Sequence, residues 1–171
     1  SVFGGSAWTR DEETGQYYLH TFLKEQPDLN WRNPAVQEAM LDVMRFWFDK
    51  GVDGFRVDAL SYVIKDASYR DNPPNPDFHA KEMPGYNRLV PTYSADQPEV
   101  HEIVAAMRKV ADAYKERLLI GEIYLPVEEL VDYYGLESNT GVHLPYNFQF
   151  ILLPWRAVDL FLGINRYEAY L

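Results

Sequence analysis

Three ionisable side chains stand in stretches otherwise fit for a protein core. Arg56 and Asp58 lie two residues apart in GVDGFRVDAL, and Glu122 lies in LLIGEIY. Side chains alternate along a strand, so Arg56 and Asp58 share one side while Phe55 and Val57 take the other. The same alternation groups Ile120, Glu122 and Tyr124. Asp58 and Glu122 each fall near the carboxyl end of their segment. On neighbouring parallel strands, about 4.8 Å apart, the two carboxyls would reach the same rim. Retaining glycosidases set two carboxyl groups about 5–5.5 Å apart, and inverting ones about 6.5–9.5 Å. Adjacent strands suit the shorter separation. A cation beside Asp58 favours its ionised form, which a nucleophile needs. Glu122 has only apolar neighbours in its own strand, and desolvation suits a proton donor. Asp58 is therefore expected as nucleophile and Glu122 as acid/base. The same residues also fit a structural ion pair and a helix cap, and paired carboxylates on neighbouring strands occur in metal enzymes.

The elements around these residues decide whether they can meet. SAWTRDEETGQYYLHTF reads as two short strands about a polar turn ending at Gly15. Asn33-Pro34 opens a helix that runs to about Lys50 and stops at Gly51. Its apolar face is expected to be Val36, Met40, Val43, Met44 and Trp47. A strand over Val52–Asp58 follows, then a long irregular stretch from Ser61 to Ser94. A second helix begins near Asp96-Gln97-Pro98, with Val100, Ile103, Val104, Met107, Val110 and Tyr114 on its apolar face. Leu118–Tyr124 is the second strand. Pro126 opens a short helix closed by Gly135, His143–Phe150 is a third strand, and GINRYEAYL begins a last helix. Strands alternating with helices make a parallel sheet. No glycine-rich phosphate loop follows any strand, which lowers the nucleotide-binding doubly wound version. The long loop after the Val52–Asp58 strand favours an eight-stranded barrel, whose active sites are built from such loops.

Bulk properties narrow the partners. Asp and Glu number 26 against 16 Lys and Arg, a net charge of −10 over 171 residues. With no basic stripe, nucleic acid and anionic membranes are not expected as partners. Cysteine is absent, so thiolate chemistry is excluded, and a reducing, cytoplasmic location is expected. No apolar run is long enough to span a bilayer. His20, His79, His101 and His143 show no ligand spacing, so neither a metal nor a cofactor is expected. Composition leaves the oligomeric state open. Tyr86, Tyr93 and Phe78 in the long loop could touch sugar, though loop packing explains them as well.

These motifs resemble a known family. GFRVDAL is similar to the nucleophile-bearing segment of the α-amylase family, glycoside hydrolase family 13. GEIY resembles its acid/base segment, and HLPYNF suits its sixth strand. QPDLNW resembles the segment closing the small domain inserted after the third barrel strand, in the form found in the α-glucosidase and oligo-1,6-glucosidase branch. The resemblance implies part of a (β/α)8 barrel, about strands four to six. Residues 1–30 would end the inserted domain, and residues 31–171 would be partial barrel. It implies Asp58 as nucleophile, Glu122 as acid/base and Arg56 as the arginine beside the nucleophile. Ala59, following the nucleophile, would contact substrate and lean the preference toward α-1,4-glucosides. The implied substrate is a small α-glucoside or oligosaccharide, cleaved with retention. A sucrose isomerase or transglucosidase using the same carboxylates is an alternative, as is a non-catalytic relative serving as a transporter subunit or binding module. The family's upstream Asp/His strand and downstream His-Asp segment are not in the sequence. The chain is thus expected to be an internal piece, inactive and prone to associate alone.

Overall fold

A computed structural model describes residues 1–171, which fall into two compact units. Ser1–Val36 and Tyr62–Gln97 make one; Gln37–Ser61 and Pro98–Leu171 make the other.

In the first unit, β1 (Trp8–Arg10) and β2 (Tyr17–Leu19) form an antiparallel hairpin with Trp8 opposite Leu19. Asp11 shapes its turn by accepting the Thr14 hydroxyl at 2.5 Å, and Gly15 closes it at φ +70°. The Lys65 ammonium is buried against Asp28 at 2.9 Å. Desolvation lowers the Lys65 pKa, opposed by the Asp28 carboxylate. The long loop is irregular, as expected, but pinned. Asn72 donates to the Ser94 hydroxyl at 2.7 Å and accepts the Tyr93 N–H at 2.8 Å. Arg70 binds Asp66 through two nitrogens and lies 4.0 Å over the Tyr93 ring.

The second unit is built on a parallel sheet in the order β3 (Gly54–Val57), β4 (Leu118–Ile123), β5 (Leu144–Asn147). Helix α1 (Pro34–Asp49) precedes β3, and α2 (Val100–Asp112) precedes β4. Between β4 and β5, α3 (Val127–Leu130) continues as a 3-10 turn to Tyr134 and ends at left-handed Gly135. Short α4 (Gln149–Leu152) and α5 (Ala157–Glu168) follow β5. One face of β4 carries Leu119 and Ile123, both fully buried, with Val104, Val142 and Leu130 also inside. Burying such side chains contributes about 1.5–3 kcal/mol each. The other face is open: Leu118, Leu144 and Tyr146 are exposed on it, and β3 and β5 are sheet edges.

Three expectations about elements are corrected. Helix α1 buries Leu41, Met44 and Phe48, while Val43 and Trp47 are exposed. Phe48 decides the rotation, because its ring sits between Phe55 and Tyr114 at 4.9 and 5.0 Å. Strand β5 ends at Asn147, whose Oδ1 accepts the Gln149 N–H at 3.1 Å and so turns the chain into α4. The last helix starts at Ala157, six residues before Gly163. Gly163 lies inside it, and a Cβ there would come 2.7 Å from Leu153 Cδ1. That glycine is not a helix start.

Candidate active site

The β3–β4 register pairs Arg56 with Ile120 and Val57 with Gly121. Continued by one residue, it brings Asp58 beside Glu122 at the carboxyl ends. The β4–β5 register sets Tyr146 opposite Glu122. Alternation works as the sequence implies: Phe55 packs on α1 through Phe48, and Arg56 and Asp58 emerge on the open face.

Arg56 joins the two acids. Its Nη2 lies 2.8 Å from Asp58 Oδ1 and also contacts Glu122 Oε2. The carboxyls of Asp58 and Glu122 lie against each other as well. The side chain of Asp58 is 78% exposed and that of Glu122 only 10%. The Asp58 carboxyl is held below the usual aspartate range, first by its bond to Glu122. Desolvation opposes this, and the Arg56 guanidinium adds to it. For Arg56, desolvation works against charge, yet the two carboxylates outweigh it and raise its pKa.

Glu122 is not surrounded by apolar groups alone, contrary to the reading of its strand. Besides Arg56, the Ala59 main-chain N–H donates to Glu122 Oε2 at 3.3 Å, and the Tyr124 hydroxyl bonds to it. These partners come from β3, the turn after it and the strand end, so the neighbours of Glu122 in sequence could not reveal them. Ala59 itself has φ +44°, a left-handed conformation uncommon for alanine.

Sequence reasoning missed an aromatic cluster beside the carboxyls. The Tyr124 and Phe148 rings stack at 4.1 Å and 17°, and Tyr146 meets Phe148 edge-on at 5.8 Å. Tyr124 is 58% exposed. Its position two residues after Glu122 was a usable signal; the closeness of Tyr146 and Phe148 needed the β4–β5 register. Of the loop aromatics, Tyr93 lies under Arg70 and Phe78 is 5.9 Å from the Arg88 guanidinium, so both pack within the loop. Tyr86 is exposed.

Two carboxyls of unequal exposure, with a guanidinium between them and exposed rings alongside, can carry out acid/base and nucleophilic chemistry. The family described as Alpha amylase, catalytic domain, matches residues 1–159. The salivary alpha-glucosidase of Aedes aegypti is 41% identical over 160 residues, covering 88% of this chain and 27% of that protein. The crystal structure of an alpha-glucosyl transfer enzyme superposes with a TM-score of 0.87 at 35% identity, over 100% of this chain and 33% of that one. The isomaltulose synthase of Erwinia rhapontici gives a TM-score of 0.75 at 27% identity, over 99% of this chain and 31% of that one. The chain thus spans about a quarter to a third of the length of the relatives it matches. The fold class, part of a (β/α)8 barrel, is borne out. With the match running through Arg56, Asp58 and Glu122, the chain belongs to the α-amylase catalytic-domain family.

Proposed function

We propose that the full-length protein carrying this chain is a retaining α-glucosidase. The convergence of Asp58 and Glu122 on one guanidinium nitrogen, at the carboxyl ends of neighbouring parallel strands, carries this reading. In the first step an Asp58 oxygen attacks the anomeric carbon as the glycosidic oxygen leaves with a proton from Glu122. In the second, water gives a proton to Glu122 and attacks the same carbon, releasing the Asp58 carboxylate. The two inversions give net retention. Arg56 holds Asp58 ionised and orients it, and Ala59 borders the substrate. A sugar entering between the carboxyls replaces their direct contact, since a retaining pair stands about 5–5.5 Å apart. The substrate class is a small α-glucoside or oligosaccharide, with the names of the α-glucosidase relatives in support. The 171-residue chain by itself is inactive in this reading, because one face of its sheet and both edges are open.

Transfer of glucose to a sugar acceptor is a second reading, favoured by the likeness to the alpha-glucosyl transfer enzyme. The chemistry is shared, with a sugar hydroxyl replacing water in the second step. The test is turnover of maltose by the full-length protein, with the anomer of the released glucose followed by NMR. Release of α-glucose, its loss in Asp58→Asn, and a fluoroglucosyl label on the peptide containing Asp58 are expected. Release of β-glucose, or full turnover by Asp58→Asn, would overturn the assignment. Oligosaccharide products longer than the substrate would select transfer over hydrolysis.

A further inference from the structure

The turn after β3 joins the two carboxyl-bearing strands by a second route. Asp58 is exposed at the rim, yet Leu60, two residues on, is fully buried. Ala59 makes the reversal between them at φ +44°. Leu60 ends in the space left by Gly121, where a Cβ would meet Leu60 Cδ2 at 3.0 Å, Ile123 Cδ1 at 3.1 Å and Val142 Cγ2 at 3.3 Å. Gly121 immediately precedes Glu122. The anchor therefore grips the strand one residue from the acid, while the Ala59 N–H points at that acid's Oε2, 3.3 Å away. An L-residue is held left-handed only where its surroundings over-determine the backbone, and the Leu60 anchor supplies that constraint.

We propose that Ala59 is a positioning residue: its left-handed backbone, locked by Leu60 against Gly121, aims its main-chain N–H at Glu122 and fixes the carboxyl for proton transfer. This rests on the reading of Glu122 as acid/base. It differs from a side-chain role in substrate preference, because the working group is the peptide N–H. Three other groups face the Glu122 carboxyl: the Arg56 guanidinium, the Asp58 carboxyl and the Tyr124 hydroxyl. None of them is fixed by the main chain, so the Ala59 donor is the one that side-chain motion leaves in place.

The test uses the full-length protein and two aryl α-glucosides of similar size. The 4-nitrophenyl leaving group departs with little help from an acid, whereas the 4-methoxyphenyl group needs the proton. Ala59→Pro removes the N–H and cannot take φ above zero; Ala59→Gly tolerates it and keeps the donor. For Ala59→Pro, kcat/KM on the methoxyphenyl glucoside should fall about tenfold further than on the nitrophenyl glucoside, a part of the ~10²–10⁴ that a general acid supplies. For Ala59→Gly both rates fall together, their ratio staying within about twofold of the parent. Leu60→Ala, which removes the anchor, should shift the ratio in the same direction and serves if Ala59→Pro does not fold. Equal slowing of both substrates in Ala59→Pro and Leu60→Ala would overturn the proposal and leave a purely structural turn. If the parent protein cleaves neither glucoside, the α-glucosidase reading itself falls, and this one with it.

Discussion

Removing Arg56 should move the acidic side of the pH profile. Asp58 must be ionised to attack, and its carboxyl is held below the usual aspartate range. A depressed carboxyl keeps its charge down to a pH below the ordinary value of about 3.9, and activity is lost as pH falls through the lowered pKa. Arg56→Gln takes away a cation 2.8 Å from Asp58 Oδ1. An opposite charge this near shifts a carboxyl by about 1–3 pH units. Two observations argue for the lower end. The Asp58 side chain is 78% exposed, so water screens the pair. The bond from Glu122 is the larger cause of the depression, and it survives the substitution. The acidic limb of kcat/KM should therefore rise by about one pH unit. The assay is kcat/KM on 4-nitrophenyl α-glucoside across the acidic range, in the full-length protein and its Arg56→Gln variant. Arg56→Lys, which restores a charge without the fork, should recover part of the shift. An acidic limb that stays in place, or moves to lower pH, would show that Arg56 does not control the ionisation of Asp58.

Other expectations concern the framework. Phe48→Ala empties a site that is 2% exposed between Phe55 and Tyr114; it should cost about 3–5 kcal/mol, read as a lower midpoint in urea. Gly141→Ala would force a Cβ to 2.1 Å from the Tyr133 carbonyl oxygen; the backbone around Gly135–Gly141 has to move, and a loss of about 1–3 kcal/mol or more is expected by thermal denaturation. The His143 pKa is lowered, chiefly by desolvation and then by Arg108, with Asp112 opposing. Its Nδ1 accepts the Leu119 N–H at 3.0 Å. Its folded pKa is below the unfolded value of about 6.5, so the unfolded chain takes up the proton first and stability falls as pH drops below that value. His143→Asn, with an acceptor but no titration, should flatten this part of a stability-against-pH curve.

Much of the second unit was legible because short-range physics fixes it. Asn33-Pro34 begins a helix and Gly51, at φ +91°, ends it, since capping and left-handed glycine act within a few residues. GFRV and LLIGEI became strands β3 and β4, and period-two alternation placed Arg56, Asp58 and Glu122 on one side of the sheet. Where packing from outside the element decides, the reading failed. The rotation of α1 followed Phe48 against Phe55 rather than the most apolar stripe, and Gly163 fell inside a helix rather than at its boundary.

For this protein, the order of residues alone determined the identity of the two acids, the strand ends that carry them, and their likeness to the α-amylase family. Folding in three dimensions decided what touches Glu122: a guanidinium and a peptide N–H from the neighbouring strand and its turn, and a ring cluster built across β4 and β5. Alternation and capping act over two to four residues, so a sequence displays them. Contacts between residues some sixty positions apart, such as Arg56 with Glu122, exist only once the sheet has set its register.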